Sequence, residues 1–235
     1  MDFPSNLIRG RLIQRHKRFL ADVLLDSGET ITAACPNTGA MLGLKEPGSV
    51  VWLSTSQSKT RKYPHTWEMI ELADHGLVGV NTGNPNKIVA EAIRAGNVEE
   101  LQGYASHRAE VKYGRISRID LLLEEPSRPP CYVEVKNVHL LRQPGLAEFP
   151  DCVTERGAKH LDEMAAMVAE GARAVMVYLI QCNTPRRFAL AGDYDPYYVK
   201  RYRAARAAGV EAIALTCKMS VAGIAVCLSI PVEDP

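Results

Sequence analysis

Up to about residue 82, apolar and polar positions alternate in short runs. Residues 7–14, 19–25, 30–34, 50–54, 67–72 and 77–81 each read as a β-strand, because turn formers bound them on both sides. Asp26-Ser27-Gly28 supplies a hairpin turn, and Pro36-Asn37-Thr38-Gly39 and Glu46-Pro47-Gly48 break the chain before the next apolar run. Five or so strands in so short a stretch predict a small closed barrel. An OB-fold, whose curved face commonly takes single-stranded nucleic acid, and an SH3-like barrel both suit that count.

The period changes at Asn81-Thr82-Gly83-Asn84-Pro85-Asn86, where a turn and a helix start coincide; residues 87–94 follow with helical spacing, and Gly96 closes them. Strands are expected at 108–112, 118–124 and 131–138, a helix over 155–170 and a strand at 174–180, an α-β-β-β-α-β order. A helix over 197–208 and strands at 211–218 and 221–230 complete a mixed α/β domain. The last strand is read as buried.

Composition narrows the class without naming it. The 235 residues carry 28 Lys+Arg against 27 Asp+Glu, and 46% are hydrophobic. A disordered or strongly basic chromatin-type chain is excluded, but nucleic-acid binding is not, because it depends on basic residues gathered on one face. No basic head with a following apolar run marks an export signal. The longest apolar run, 221–230, is half the ~20 residues of a membrane span. Cys35, Cys131, Cys152, Cys182, Cys217 and Cys227 lack C-x-x-C spacing and read as reduced, buried thiols. A cytoplasmic protein with no membrane partner is expected, either a monomer or a homodimer.

The chemistry concentrates in Arg118-Ile119-Asp120-Leu121-Leu122-Leu123 and Cys131-Tyr132-Val133-Glu134-Val135-Lys136. Residues two apart on a strand share a face, so Glu134 and Lys136 point one way and Val133 and Val135 the other. A hairpin through the intervening Pro-rich turn brings Asp120 alongside, giving two carboxylates and an ammonium at one sheet edge. Asp120 and Glu134 offer oxygens to a hard cation, Mg²⁺ or Mn²⁺, and Lys136 a charge for water or phosphate. The bland alternative is an exposed ion pair worth ~0–1 kcal/mol. Glu110-Val111-Lys112 repeats the tripeptide with no aspartate on a preceding strand, leaving Glu110 as an accessory carboxylate and Lys112 as a supporting charge.

D-x(13)-E-x-K in this element order resembles the PD-(D/E)xK nuclease superfamily, with Ile119 where that pattern has Pro. SRIDLLLE, YVEVKNVHLL, FPDCVTERGAKHL, RFLADV, CPNTGAM and KYPHTWEM together resemble the sugar fermentation stimulation protein A family over nearly the whole chain. The resemblance implies an OB-like nucleic-acid-binding β-barrel over residues 1–82 and a PD-(D/E)xK nuclease-like mixed α/β domain over 83–235. It also implies DNA binding and a role in regulating sugar (maltose) catabolism.

Thr154 suits a helix N-cap, and Arg156 and His160, four apart, share a helix face on which a phosphate could rest, with Lys159 beside them. His160 is also a candidate proton donor to a leaving oxygen. In the barrel, Lys59, Arg61, Lys62, Tyr63 and Trp67 interleave charge and aromatic rings, as strand binding requires, and Arg15 and Arg18 belong to a second basic run. Capped-helix and solvated-loop readings compete with both assignments. Phosphate loops, zinc-type histidine spacings and a serine nucleophile elbow are absent from the sequence. Two functions remain: a Mg²⁺-dependent phosphodiesterase acting on DNA, or a non-catalytic DNA-binding transcriptional regulator on a nuclease scaffold. Pure scaffolding ranks below both, strandedness is open, and RNA stays within range.

Overall fold

The computed structural model describes residues 1–114 and 117–234. β1 (Ile8–His16) pairs antiparallel with β2 (Leu20–Leu25) and β4 (Val50–Thr55), β2 with β3 (Thr30–Ala34), and β4 with β5 (His65–Leu72). A parallel bridge between Ala34 and Thr66 joins β3 to β5 and closes the five strands into an OB-like barrel. Alternate residues such as Leu12, Ala21, Val23, Val51 and Leu53 fill its interior, as the two-residue period of a strand demands. β6 (Gly76–Gly79) pairs antiparallel with the second half of β5. Thr66 to Ile70 are buried without interruption. Beside them the buried Glu68 carboxylate accepts hydrogen bonds from Ser54, Asn81 and Asn84, anchoring the connection that follows.

The second unit is a mixed six-stranded sheet in the order β15-β14-β12-β9-β8-β7. β9 (Arg128–Val138), β12 (Arg173–Ile180) and β14 (Glu211–Met219) run parallel; β7 (Ser106–Tyr113), β8 (Ser117–Glu125) and β15 (Ile224–Ile230) flank them antiparallel. α1 (Pro85–Arg94) covers one face, packing Ile88 and Val89 with Val133, Val135, Val175 and Val177. α2 (Glu155–Ala169) and α3 (Pro196–Ala207) cover the other, where Leu161, Met164 and Tyr198 share a core with Met176 and Tyr178. That second core runs on without a break into the barrel, through Val138 and Ile180 to Trp67 and Leu12.

Three strands lie outside the sequence expectation. β10 (Leu140–Gln143), β11 (Leu146–Phe149) and β13 (Arg187–Leu190) form a small separate sheet. Each is four residues long, and the parallel pairing of β11 with β13 comes from tertiary packing that no local pattern announces. The last strand is also corrected: β15 is a sheet edge whose middle residues are largely exposed, Leu228 among them. Cys152 and Cys227 are exposed rather than buried, since one lies in the loop before α2 and the other on that edge. Among the described residues, no helix is long and apolar enough to cross a membrane.

Candidate metal centre

The β8–β9 hairpin carries the two carboxylates. Its ladder pairs Leu123 with Cys131, Leu122 with Tyr132 and Leu121 with Val133, and Asp120 and Glu134 stand one step beyond. There the Asp120 side chain takes over as acceptor: Oδ2 accepts from the Val135 amide at 2.8 Å and Oδ1 from Asn86 Nδ2 at 2.7 Å, on the first turn of α1. Alternation along β9 sends Val133 and Val135 towards α1, so Glu134 and Lys136 emerge on the α2 side. Glu134 is only 2% exposed. Its Oε1 accepts from Lys136 Nζ at 2.6 Å and from His160 Nδ1 of α2, whereas its Oε2 is shielded from solvent and has no hydrogen-bond partner.

The two carboxylates titrate in opposite directions. Burial and then the neighbouring Glu134 charge push Asp120 above its ordinary range, outweighing the Val135 amide, Lys136 and Asn86. Burial also penalises ionised Glu134, but the His160 hydrogen bond and the Lys136 charge prevail and hold it low. An elevated Asp120 beside an ionised Glu134 with an orphaned oxygen is a site short of positive charge. An all-oxygen pair of this kind fits a hard divalent cation. Among the described residues no cluster of three or more His, Cys, Asp or Glu forms a complete cage, so water or phosphate oxygens would have to fill the remaining positions.

Next to the carboxylates, Glu110, Ser117, Arg118, Arg156, Lys159 and His160 line a cleft of about 340 Å³. Glu110 holds a left-handed φ of 54°, a strained backbone for a glutamate. Pairing of Ala109 with Leu121 and Val111 with Ile119 sets it across from Asp120, so the first E-x-K does face an aspartate, on the following strand rather than a preceding one. Lys112 pairs with Arg118 and is exposed. Thr154 caps α2 by accepting from the Gly157 amide, and Arg156 and Lys159 project from the first turns. His160 is not a surface phosphate contact: it is buried, its Nδ1 engaged with Glu134 and its Nε2 accepting from Arg156 Nε at 3.5 Å.

The barrel residues divide. Lys59, Arg61 and Lys62 are exposed on the β4–β5 connection, with Arg61 bonded to Thr66 Oγ1 and Lys62 Nζ lying 5.3 Å from the centre of the half-buried Tyr63 ring. Trp67 has no face for a base, because it is 0% exposed and its Nε1 donates to the Met69 carbonyl. Arg15 and Arg18 are spent on structure. Arg15 Nη2 donates to the carbonyls of Arg18, Asn37 and Gly39, and Arg18 donates to that of Thr38. The loop they staple meets the second unit, where Asp151 accepts from the Met41 amide and from His139 Nε2. Burial opposes the Asp151 charge most strongly, but the His139 hydrogen bond and charge together with the Met41 amide outweigh it and hold the carboxyl at about 2. Asn86, Arg118 and the His139–Asp151 pair escaped the sequence reading. Asn86 was visible only as a turn former, and Arg118 stood two positions from Asp120 without a pattern to mark it.

Residues 83–223 match the family described as the Sugar fermentation stimulation protein RE domain, and residues 13–80 match the SfsA N-terminal OB domain. The sugar fermentation stimulation protein homolog of Brucella ovis is 56% identical over 234 residues, covering 100% of this chain and 98% of its own. That of Azorhizobium caulinodans is 58% identical over 235 residues, covering 98% and 99%. A solved structure of Pyrococcus furiosus SfsA, in complex with Ca²⁺, is 25% identical with a TM-score of 0.88, covering 99% of this chain and 98% of that one.

Proposed function

The chain belongs to the sugar fermentation stimulation protein family, and from that premise we propose that it binds DNA and hydrolyses phosphodiester bonds at a divalent-metal centre on Asp120, Glu134 and Lys136. The observation that carries this reading is the buried, unpartnered Glu134 Oε2 beside an aspartate whose charge is disfavoured. The Ca²⁺ complex of the Pyrococcus furiosus relative supports a divalent ion here. Mg²⁺, or Mn²⁺ in its place, is the proposed cofactor, with the cytoplasm as the setting.

Asp120 and Glu134 would hold the ion, which when bound supplies charge to the phosphoryl oxygens and acidifies a water. The Val135 amide and Asn86 fix the Asp120 carboxylate in place before any ligand arrives. His160 keeps Glu134 ionised while Lys136, released from Oε1, turns to the attacking water or a phosphoryl oxygen. Arg118, Arg156 and Lys159 hold the strand's phosphate in the adjoining cleft, and Lys59, Arg61 and Lys62 extend the positive track over the barrel. The proposed division of labour is a binding barrel over 1–82 and a hydrolytic domain over 83–235.

A second reading keeps DNA binding and drops turnover. The closed Lys136–Glu134–His160 arrangement favours it, as does the relatives' name, which points to regulation of sugar catabolism. A panel of single- and double-stranded DNA and RNA, with Mg²⁺, Mn²⁺ or EDTA, separates the two. On the first reading Lys136→Ala keeps binding but loses about 10²-fold or more in cleavage rate. Binding without cleavage under every condition establishes the regulator.

A further inference from the structure

Beside the phosphate cleft, between the end of β7, Tyr132 of β9 and the outer face of α2, lies a second cleft of about 690 Å³. That volume is within the ~300–1,000 Å³ of small-molecule sites. Its walls are aromatic and apolar where Tyr113 and Tyr132 pack with ring centres 5.6 Å apart and Met167 faces them. Lys159, Asp162, Glu163 and Glu170 make the rest of the lining polar, with Lys159 Nζ 3.9 Å from Glu163 Oε1. The Tyr113 hydroxyl and Glu163 Oε2 are both shielded from solvent and both lack a hydrogen-bond partner. Tyr113 is 6% exposed, and Glu163 is near enough to contribute to the upward push that burial gives its phenol. Gly114, at φ 55°, stands at the rim, where a β-carbon would lie 3.4 Å from Glu163. Lys159 lines both clefts, so they are neighbours along one path.

We propose that this cleft receives an unstacked nucleobase of the bound strand, preferentially guanine. The proposal rests on the nucleic-acid reading above. A flat ring finds an apolar wall in Tyr113, Tyr132 and Met167, and the acceptor-only Glu163 carboxylate, with Oε1 3.9 Å from Lys159 Nζ and Oε2 unpaired, calls for a partner rich in N–H donors. Guanine presents N1–H and the N2 amino group side by side, whereas uracil presents one such donor on that edge. A phosphate is unwelcome, since Asp162, Glu163 and Glu170 all line the cleft. With its phosphate held by Arg118, Arg156 and Lys159, a strand needs only to splay one base across Lys159 to fill it.

The test is calorimetric titration of the full chain, in EDTA, with the four 5′-mononucleotides and with inorganic phosphate. The guanine nucleotide is expected to bind about tenfold tighter than the uracil one, the discrimination of a good paired contact. Glu163→Gln should remove most of that preference, and Met167→Trp should fill the cleft and remove it altogether. Indifference to the base, or a preference that survives both substitutions, overturns the proposal. Neither metal nor cleavage enters the titration, so failure of the hydrolytic reading would leave a base-selective result standing, and loss of selectivity would leave the hydrolytic centre untouched.

Discussion

Loading the carboxylate pair with a divalent cation should raise the melting temperature by about 5–6 °C. An ion that binds only the folded chain, at one hundred times its Kd, contributes about 2.7 kcal/mol. At roughly 2.1 cal/mol/K per residue, the unfolding entropy of 235 residues is about 0.5 kcal/mol/K, and the ratio gives the shift. The whole chain should respond, because one continuous core links barrel and sheet. The gain comes from relieving two defects of the metal-free fold, the disfavoured Asp120 charge and the unpaired Glu134 oxygen. Asp120→Asn removes a ligand and a like charge while losing about one hydrogen bond, so without metal its melting temperature should stay within about 2 °C of wild type. The pH dependence has a definite sign. Because the folded pKa of Asp120 is raised, its ionised form costs stability at neutral pH, and that cost disappears as pH falls through the raised value. Protons and metal then compete, and the metal-induced shift should shrink over the same window. The assay is scanning calorimetry of both proteins in EDTA, Mg²⁺, Mn²⁺ and Ca²⁺. An equal rise in Asp120→Asn, or no rise in wild type, would mean that the carboxylate pair does not hold the ion.

Three further outcomes can be checked. Asp151→Asn should cost about 2 kcal/mol at pH 7, since the carboxyl is held at about 2 against an ordinary 3.8; that contribution is full above the ordinary value and is lost as pH falls towards 2, so urea midpoints of variant and wild type should converge in acid. Alanine at Lys59, Arg61 and Lys62 together should weaken DNA binding and flatten its salt dependence by about two in log–log slope, and an unchanged slope removes this loop from the interface. Gly79→Ala places a β-carbon 2.5–2.7 Å from side-chain atoms of Gln181, where strand β6 bonds to the second unit, and should lower stability by about 1–3 kcal/mol in urea unfolding.

Much of this arrangement is legible in the sequence because it is written in local periods. The alternation that separates Val133 and Val135 from Glu134 and Lys136, the Pro-rich turn that folds Asp120 back, and the Thr154 cap all depend on neighbours a few residues away. Residues whose roles are set by distant partners were not legible. Trp67 sits in a basic, aromatic run that reads as a binding surface, yet barrel closure draws its ring into the core. Arg15 and Arg18 look like free charges until the 36–41 loop folds over them and presents its carbonyls. His160 reads as a surface contact four residues from Arg156, but α2 docks so that it meets Glu134 instead. Asn86, at the other end of the site, binds Asp120 only because α1 packs across β8 and β9.

On the proposed reading, Asp120 and Glu134 serve metal-dependent cleavage of a phosphodiester bond. The decisive experiment follows a labelled DNA strand under single-turnover conditions, with wild type and Asp120→Asn, in Mg²⁺, in Mn²⁺ and in EDTA. Product is expected only for wild type with Mg²⁺ or Mn²⁺, with Asp120→Asn retaining DNA affinity. Cleavage that persists in EDTA or in Asp120→Asn, or none by wild type with either Mg²⁺ or Mn²⁺, would overturn that reading.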